Sequence, residues 1–454
     1  MQSVFENRTF RRLFAGRLVT NAGDSLYYVA AMWLVYDLGG SAFYTGLAGA
    51  LTLGPQALQF LAGPLVDRWK ISRTLVGTQL LQAVLVLVVP IAHFTGHLSV
   101  GLVLVVMPVL ALCNQFVYPA ETAALPRVVE DEELVDANSA FSFAYQGVDL
   151  AFNAAGGVLV AAVGAVAIYT LDAVTFALAA GLFAVARIPS SGDGDEVELD
   201  ANPDTEEAEE QAPLTEYFDK LQEGIDHVRG TVLVPVIAGS VVVNFTIGAT
   251  MAVLPAFAAE RGGPETYGLL LAAITGGMLV GALVASPLKR RSLYVLSATG
   301  FAVGGVLWFA ALAVPQTLGT VALFALAWVP VGVTNVVFAA FKQSVVPDHL
   351  LGRVSSVGVS AGTAAAPLGS LLGGTVADAW TPTLVVAATG LGFLFLTFYW
   401  VVHPSLRGMP ALSDIDPGDY GLAREPAGGS ESESASESVT DEKPSASDRQ
   451  TSAD

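Results

Sequence analysis

Long apolar runs recur along the chain, separated by short stretches that hold most of the charged residues. About 20 consecutive apolar residues, coiled as an α-helix, cross the roughly 30 Å hydrocarbon core of a membrane. By that criterion the pattern predicts an all-α membrane protein with twelve transmembrane helices. The predicted spans are 12–36, 43–66, 74–94, 98–119, 137–163, 166–187, 231–258, 267–287, 293–314, 318–341, 355–378 and 382–403.

Composition supports a membrane protein. The 454 residues are 53% apolar and 14% charged, with a mean hydropathy of +0.58, whereas soluble chains carry about 25% charged residues. The net charge of −20 arises mainly in residues 188–230, with 14 acidic residues, and residues 404–454, with 11. Acidic surfaces with only five lysines suit high internal salt, which screens self-repulsion. We therefore expect a halophilic archaeon as the source, with a pair of acidic disordered segments as the alternative.

Lysine and arginine residues predict the orientation. If twelve helices alternate, nearly all of the lysine and arginine residues between the spans fall on one side, and Arg261 falls on the other. Cytoplasmic loops of membrane proteins are enriched in these two residue types. The chain is therefore predicted to be a multi-pass protein of the cell membrane with both termini in the cytoplasm.

A repeat divides the helices into two sets. Segments 126–139 and 344–356, which follow the fourth and tenth spans, resemble each other, and Leu134 aligns with Leu351 at an offset of 217 residues. The repeat predicts two pseudo-symmetric six-helix bundles. The predicted units are an N-terminal bundle over 1–187, an acidic cytoplasmic linker over 188–230 with an amphipathic helix at 213–229, a C-terminal bundle over 231–403 and a disordered acidic tail over 404–454.

The loop between the second and third spans carries the most specific pattern. It reads Gly63-Pro64-Leu65-Val66-Asp67-Arg68-Trp69-Lys70-Ile71-Ser72-Arg73. This loop resembles the G-x-L-x-D-R loop of the major facilitator superfamily, although Lys70 stands where that family usually has glycine. The resemblance implies a secondary transporter with the major facilitator fold, which works by alternating access.

The same resemblance implies a cytoplasmic gate built on Gly63 and its neighbours. Asp67 would meet the positive N-terminal end of the eleventh helix. Arg68 or Arg73 would pair with Glu121 at the end of the fourth helix. The alternative is that these charges only set the topology and solvate the loop.

Further motifs resemble the macrolide-efflux and enterobactin-exporter branch of that superfamily. They lie in segments 11–25, 119–138, 171–173, 347–353 and 367–374. Such proteins export drugs, siderophores or lipophilic metabolites, usually in exchange for protons. The resemblance therefore implies efflux of an amphiphilic small organic compound, and we expect a monomer in the lipid bilayer. The alternatives are sodium coupling, uptake, or a non-transporting receptor or scaffold whose acidic tail recruits partners.

Ionisable residues inside the spans are candidates for proton coupling, because a charge at mid-membrane is costly unless it is paired or hydrated. Arg17, Asn21 and Asp24 share one face of the first helix at a 3.6-residue period. Asp24 is the candidate proton site. Alternatively, Arg17 and Asp24 form a static pair, although seven helical residues span about 10 Å.

Two more aspartates lie inside predicted helices. Asp149 shares a face of the fifth helix with Gln146 and Asn153, which predicts either a wet cavity with Asp149 as a proton or cation acceptor, or an interhelical hydrogen-bond cluster. Asp172 lies near the start of the sixth helix, close to the external boundary, where we expect structural pairing.

Further polar residues are candidates for a substrate cavity, although each is equally explained by a hydrogen bond between helices. The cavity candidates are Asn21, Gln56, Gln59, Asn114, Gln115, Tyr118, Gln146, Asn153, Asn244 and Asn335, with Phe60, Phe116, Trp308 and Phe338 as aromatic neighbours.

The sequence gives no indication of an enzyme. A nucleotide-binding G-x-x-x-x-G-K-S/T motif is absent, and the five histidines are scattered without metal-ligand spacing. Nucleic-acid modules are absent too, and the acidic segments would repel phosphate. We therefore expect no cofactor, no metal and no nucleic-acid partner.

Overall fold

The computed structural model describes residues 3–58, 69–186, 188–189, 229–346 and 348–414. Within these ranges the protein is helical, and the prediction of an all-α fold is confirmed. The described α-helices number twelve and fall where the apolar runs predict them. They are α1 (Arg8–Gly39), α2 (Ala42–Leu53), α3 (Ile71–Phe94), α4 (Val100–Ala124), α5 (Leu134–Val163), α6 (Ala165–Val185), α7 (Leu233–Ala259), α8 (Pro264–Leu288), α9 (Leu293–Ala313), α10 (Thr317–Val345), α11 (Asp348–Ala379) and α12 (Pro382–Val402).

Nine of the described helices are long and apolar enough to cross a membrane. The other three are α1, α2 and α11. Polar side chains interrupt the middle of α1, and α2 is described over 12 residues before a 3₁₀ turn at Gly54–Leu58. Polar positions inside α1 lower its hydropathy, and these same positions form the site described below.

Very short connections join the helices at one end of the bundle, which we call the short-loop end. They are residues 40–41, 95–99, 164, 260–263, 314–316 and 380–381. Gly40 and Gly164 adopt positive φ angles of 64° and 83°, which glycine tolerates without strain. We call the opposite end, where α1 begins and α12 ends, the terminal end.

The helices pack as two sets of six. In the N-terminal half, α1 packs against α5 and α6, and α3 packs against α4 and α6. In the C-terminal half, α10 packs against α8 and α9, and α7 packs against α11 and α12. The two halves meet where α2 packs against α11 and α7, and where α5 packs against α8.

Two glycine crossings hold the halves together near the short-loop end. A Cβ atom on Gly46 of α2 would lie 2.7 Å from the Cα of Gly374 of α11, and one on Gly157 of α5 would lie 2.8 Å from the Cα of Gly268 of α8. The 217-residue offset of the sequence repeat carries Gly157 onto Gly374, so the crossings correspond by pseudo-symmetry. Small residues allow this close approach of helix backbones in a membrane.

Hydrogen bonds accompany the α2 crossing. The Thr45 hydroxyl donates to the Ala252 carbonyl at 2.6 Å, and the Ser370 hydroxyl donates to the Gly46 carbonyl at 3.0 Å. At the very end of the helices, Ser41 donates to the carboxylate of Asp378. The two halves are therefore in direct contact at the short-loop end.

Aromatic residues fill the core of the C-terminal half. The Trp308 side chain is fully buried, its Nε1 donates to the Val386 carbonyl at 2.7 Å, and its ring lies 4.3 Å from that of Phe324. The interpretation of Trp308 as part of a substrate pocket is therefore wrong, because the side chain is enclosed by the helix core.

The chain beyond α12 packs back onto the bundle. Leu406 and Met409 are buried, and the Ser292 hydroxyl and Tyr294 amide, at the start of α9, both donate to the Met409 carbonyl. The prediction of a disordered tail from residue 404 is therefore wrong for residues 404–414, which these contacts order. The predicted linker helix and the remainder of the tail lie outside the described residues, apart from the last residue of that helix.

Candidate functional site

A ladder of polar side chains runs along the middle of α1. The Arg17 Nη2 atom donates to Asn21 Oδ1 at 3.2 Å, and the Ser25 hydroxyl donates to the Asn21 carbonyl at 2.8 Å. Arg17, Asn21 and Ser25 are all buried. Their four-residue spacing places them one above another on a single face of the helix.

Asp149 of α5 closes this ladder from the facing helix. Its Oδ1 atom accepts from the Ser25 hydroxyl at 2.6 Å and from Asn21 Nδ2 at 3.1 Å. Asn21 Nδ2 also donates to the Ala144 carbonyl at 3.2 Å, which fixes the amide between the two helices. The predicted association of Asp149 with polar partners is thus formed with α1, through Asn21 and Ser25.

Glu121 of α4 meets the same ladder. Its Oε2 atom lies 3.7 Å from Arg17 Nε, and its side chain is only 3% exposed. The sequence-based hypothesis places Glu121 instead in a gate with Arg68 or Arg73. Arg73 is exposed on the first turn of α3, without an ion pair to any described residue. Gly63, Asp67 and Arg68 lie outside the described residues, so their gate stays a prediction.

Asp172 of α6 lies deeper than its sequence position indicates. The residue is 1% exposed and accepts from the Thr175 hydroxyl at 3.0 Å. It packs against Gly23, where an added Cβ atom would collide with Asp172 and Thr175. Because Gly23 stands halfway along α1, the expected position of Asp172 near the external boundary is wrong.

Asp24 lies among the other charges. It interacts electrostatically with Arg17, Asp149 and Glu121, and Asp172 interacts with it in turn. The Asp24 side chain is partly exposed and makes no hydrogen bond to a described residue. We call Asp24, Glu121, Asp149 and Asp172 the carboxylate cluster. Arg17 is the cation that contacts it.

Two buried glutamines on α3 extend this polar region, and sequence reasoning missed them. Gln79 Oε1 accepts from the Thr20 hydroxyl at 2.9 Å, and Gln82 Nε2 donates to Asn114 Oδ1 at 2.8 Å. Both glutamines are fully buried. Two amides three residues apart inside an apolar run were the available signal, because they share one helix face.

The predicted cavity residues separate into different surroundings. Asn21 and Asn114 make the hydrogen bonds given above, Gln115 donates to the Ala111 carbonyl of its own helix, and Gln56 and Tyr118 are exposed. The backbone carbonyl of Asn153 borders the Gly157–Gly268 crossing. Gln59 and the side chain of Gln146 lie outside what the structure describes. The candidates therefore do not form one common pocket.

Asn244 and Asn335 do meet in one pocket of about 140 Å³ between α7, α9, α10 and α12. Asn244 Nδ2 donates to the Ser240 carbonyl at 2.9 Å, and the rings of Phe338 and Trp400 stand 5.4 Å apart beside it. The remaining lining residues are Val236, Gly239, Val243, Phe301, Thr334 and Leu396. Amide and hydroxyl groups on an aromatic wall suit an uncharged, partly polar ring.

Charge is distributed unequally between the two halves. Arg17, Asp24, Asp149 and Asp172 lie inside helices of the N-terminal half, and Glu121 lies in the last turn of α4. In the described helices of the C-terminal half, acidic and basic residues stand only near helix ends. A half with a surplus of buried carboxylates can bind protons or a cation, whereas an uncharged half can bind neutral groups.

Comparison with known proteins agrees with this architecture. The family model MFS_3, described as a transmembrane secretion effector, matches residues 2–414. The chain is 28% identical to the multidrug efflux pump Tap of Mycolicibacterium fortuitum over 88% of this chain and 97% of Tap. It is 25% identical to macrolide efflux protein A of Streptococcus pyogenes over 81% of this chain and 89% of that protein.

Solved structures resemble the chain in fold. A bacterial homologue of the human lysosomal transporter Spinster, in an inward-facing and occupied conformation, superposes with a TM-score of 0.64. The match covers 86% of this chain and 95% of the homologue, at 13% identity. At that identity the likeness concerns the helix arrangement alone.

Proposed function

Because the chain belongs to the MFS_3 family of transmembrane secretion effectors, we propose that it exports an amphiphilic small organic compound in exchange for protons. The family and the fold are those of membrane transporters, which implies a bilayer environment and a small-molecule substrate. The observation that carries the proposal is the carboxylate cluster of the N-terminal half. In it, Glu121 lies 3.7 Å from Arg17, and Asp24 interacts with Arg17, Asp149 and Asp172.

The excess of acids over cations is the physical basis for proton coupling. Four ionised carboxylates beside one arginine would leave several uncompensated negative charges in a low-dielectric region, at a cost of several kcal/mol. Proton binding removes that cost, so the number of protons bound depends on how far the cluster is exposed to water. Asp24 and Asp149 are the partly exposed members of the cluster, and Asp24 is the proposed exchange site because it lacks a hydrogen bond to a described residue, whereas Asp149 accepts two. Asp149 and Arg17, which interact electrostatically with Asp24, complete the proposed coupling site.

Alternating access requires that one end closes while the other opens. The contacts between halves at the short-loop end, including both glycine crossings, support a state in which that end is closed. Lysine and arginine residues concentrate at the terminal end, which supports a cytoplasmic location for that end and for both termini. Together, these two observations support assignment of the structure to the inward-facing state.

The relatives and the C-terminal pocket support the proposed substrate class. The relatives named above are a multidrug pump and a macrolide efflux protein. The pocket at Asn244 and Asn335 combines amide groups with aromatic rings. These features support a substrate with an apolar surface and an uncharged polar ring that binds in this pocket of the C-terminal half.

Reconstitution into liposomes tests the proposal. A labelled macrolide and a fluorescent lipophilic cation serve as probes, and an imposed proton gradient drives flux. We expect Asp24→Asn to abolish gradient-driven flux of the transported probe. The matched control is Asp37→Asn, an exposed aspartate of the same helix. Unchanged gradient-driven flux in a folded Asp24→Asn variant would eliminate Asp24 as the exchange site.

Two alternatives give different results in the same liposomes. Sodium coupling, which would suit a halophilic source, predicts that a sodium gradient drives flux without a proton gradient, and uptake predicts the reverse direction. A receptor or scaffold that acts through its acidic tail predicts no flux of any probe. Function of such a protein would be lost when residues 415–454 are deleted, whereas the proposed transporter tolerates that deletion.

A further inference from the structure

We propose that Asp172 carries the exchanged proton between Asp24 and the short-loop end, with the hydroxyls of Tyr27 and Tyr169 completing the path. This inference rests on the proposed proton exchange and assigns the entry route for that proton. Asp172 belongs to segment 171–173, for which the sequence predicts structural pairing, and the structure places it against Gly23, next to Asp24.

The surroundings of Asp172 contain no compensating cation among the described residues. Its Oδ1 atom accepts one hydrogen bond from Thr175 of its own helix, and its Oδ2 atom is buried without a partner in the described structure. The ionisable groups that face it are Asp24 and Tyr27 from α1 and Tyr169 from α6. From α3 the only polar groups at this depth are the uncharged amides of Gln79 and Gln82 and hydroxyls, since Arg73 and His93 stand at its two ends.

This environment suits a neutral carboxylic acid. An ion buried without a partner costs several kcal/mol, and an adjacent carboxylate adds repulsion. Asp149 differs, because two donors, Ser25 and Asn21, point at its carboxylate. In the closed state of the short-loop end, Asp172 therefore holds a proton, and Asp149 accepts hydrogen bonds as an anion.

Tyr27 and Tyr169 stand on the short-loop side of Asp172. Tyr27 follows Asp24 by three residues, about 4.5 Å further along α1 toward its short-loop end. Tyr169 precedes Asp172 by three residues in α6, which begins at that end. Their rings meet edge to face at 5.3 Å, and both hydroxyls are buried without a hydrogen-bond partner in the described structure. Buried polar atoms normally have partners, so three orphan oxygens at one place indicate a role other than packing.

The transfer balances without any added reactant. The Asp172 acid gives its proton to the Asp24 carboxylate, breaking one O–H bond and forming another. The Asp172 carboxylate then receives a proton from a tyrosine hydroxyl, which receives one in turn from the short-loop side. After the transfer each tyrosine is again a neutral phenol, and one proton has moved inward to Asp24.

Infrared difference spectroscopy on the purified protein in lipid tests the protonation of Asp172 directly. The carbonyl stretch of a protonated carboxylic acid is separate from the stretches of a carboxylate, and it shifts on exchange into D2O. We expect a protonated-acid band near neutral pH that is lost in Asp172→Asn and retained in Asp37→Asn. If Asp172→Asn fails to fold, Asp172→Glu must displace the band. An unchanged band in the folded variant overturns the proposal.

Liposome assays test the transfer itself. We expect Asp172→Asn, and the double variant Tyr27→Phe/Tyr169→Phe, to reduce proton-driven flux of the labelled macrolide by about tenfold or more. Exchange of labelled for unlabelled macrolide without a gradient should stay within about twofold, because binding and the conformational change remain. Equal loss of both activities in folded variants would overturn the proton role. Lack of proton-driven flux in the unaltered protein would instead refute the proposed function, and the infrared result would still decide whether Asp172 holds a proton.

Discussion

Gly46 of α2 and Gly374 of α11 touch backbone to backbone, so that a Cβ atom on Gly46 would lie 2.7 Å from both the Gly374 Cα and the Ser370 carbonyl oxygen. We predict that Gly46→Val prevents full closure of the short-loop end. Overpacking of a close contact costs about 1–3 kcal/mol, which corresponds to a roughly 5- to 150-fold loss of the closed state.

Cysteine labelling measures this effect. In a Cys113→Ser background, a cysteine introduced at Ser41 should react faster with a membrane-impermeant maleimide once Gly46 is replaced. The control is Gly181→Val, because nothing lies within 4 Å of a Cβ atom added to Gly181. By pseudo-symmetry Gly268→Val should have the same effect as Gly46→Val. Equal labelling rates in all variants would contradict the role of the crossings.

The contact between Arg17 and Glu121 predicts a loss of stability when one partner is removed. Glu121→Gln removes the carboxylate that lies 3.7 Å from buried Arg17. Breaking a buried pair costs about 3–5 kcal/mol when the remaining charge is uncompensated, and the nearby Asp24 and Asp149 carboxylates lower that cost for Arg17. We expect a lower melting temperature in detergent, partly restored in the double variant Arg17→Gln/Glu121→Gln. Glu265→Gln is the control, since Glu265 is exposed in the first turn of α8. A melting temperature equal to that of the control variant would show that the pair contributes nothing.

The pocket in the C-terminal half predicts separate effects on binding and on proton release. Asn335→Ala removes one amide from the pocket, and a lost hydrogen bond costs about 0.5–1.5 kcal/mol. The Kd for the labelled macrolide should therefore rise roughly two- to tenfold. Asn138→Ala is the control, because Asn138 is exposed and bonds only its own helix in the described structure. Proton release by the carboxylate cluster should be unaltered, and unchanged macrolide affinity would remove this pocket from the substrate path.

The ordered segment after α12 predicts where truncation becomes harmful. Leu406 and Met409 are buried, so Leu406→Ala should cost about 2–5 kcal/mol of stability. Deletion of residues 415–454 should leave the melting temperature and the flux unchanged, whereas deletion from residue 404 should lower both. A protein that tolerates deletion from residue 404 would show that these contacts to α9 are dispensable.

Sequence reasoning located the helices because membrane thickness imposes a length that apolar runs reveal directly. It also placed Arg17 and Asn21 on one face of α1, since helical periodicity relates residues within a single element. The relations between elements were less accessible. Arg17 and Glu121 are separated by 104 residues, and nothing in an apolar run states which way it is rotated about its axis.

The depth of Asp172 within the helix bundle was difficult to predict for the same reason. Counting from the start of α6 places it near one boundary, but α1 extends further than α6 at both ends, so Asp172 stands beside the midpoint of α1. Trp308 was misjudged for a related reason, because a tryptophan inside a helix can face the core or a pocket. Its hydrogen bond to the Val386 carbonyl, 78 residues away, holds the Trp308 side chain in the core.

Confinement of acidic and basic residues away from helix ends to α1–α6, as far as the described helices extend, separates two kinds of evolutionary change. Under the proposed function, substitutions around Asn244 would alter which compounds are bound without disturbing the half proposed to bind protons. Substrate range would then change by substitutions in one half while proton coupling in the other is retained. Such a division would let related transporters diverge rapidly in the compounds that they export while they keep one mechanism of energy coupling.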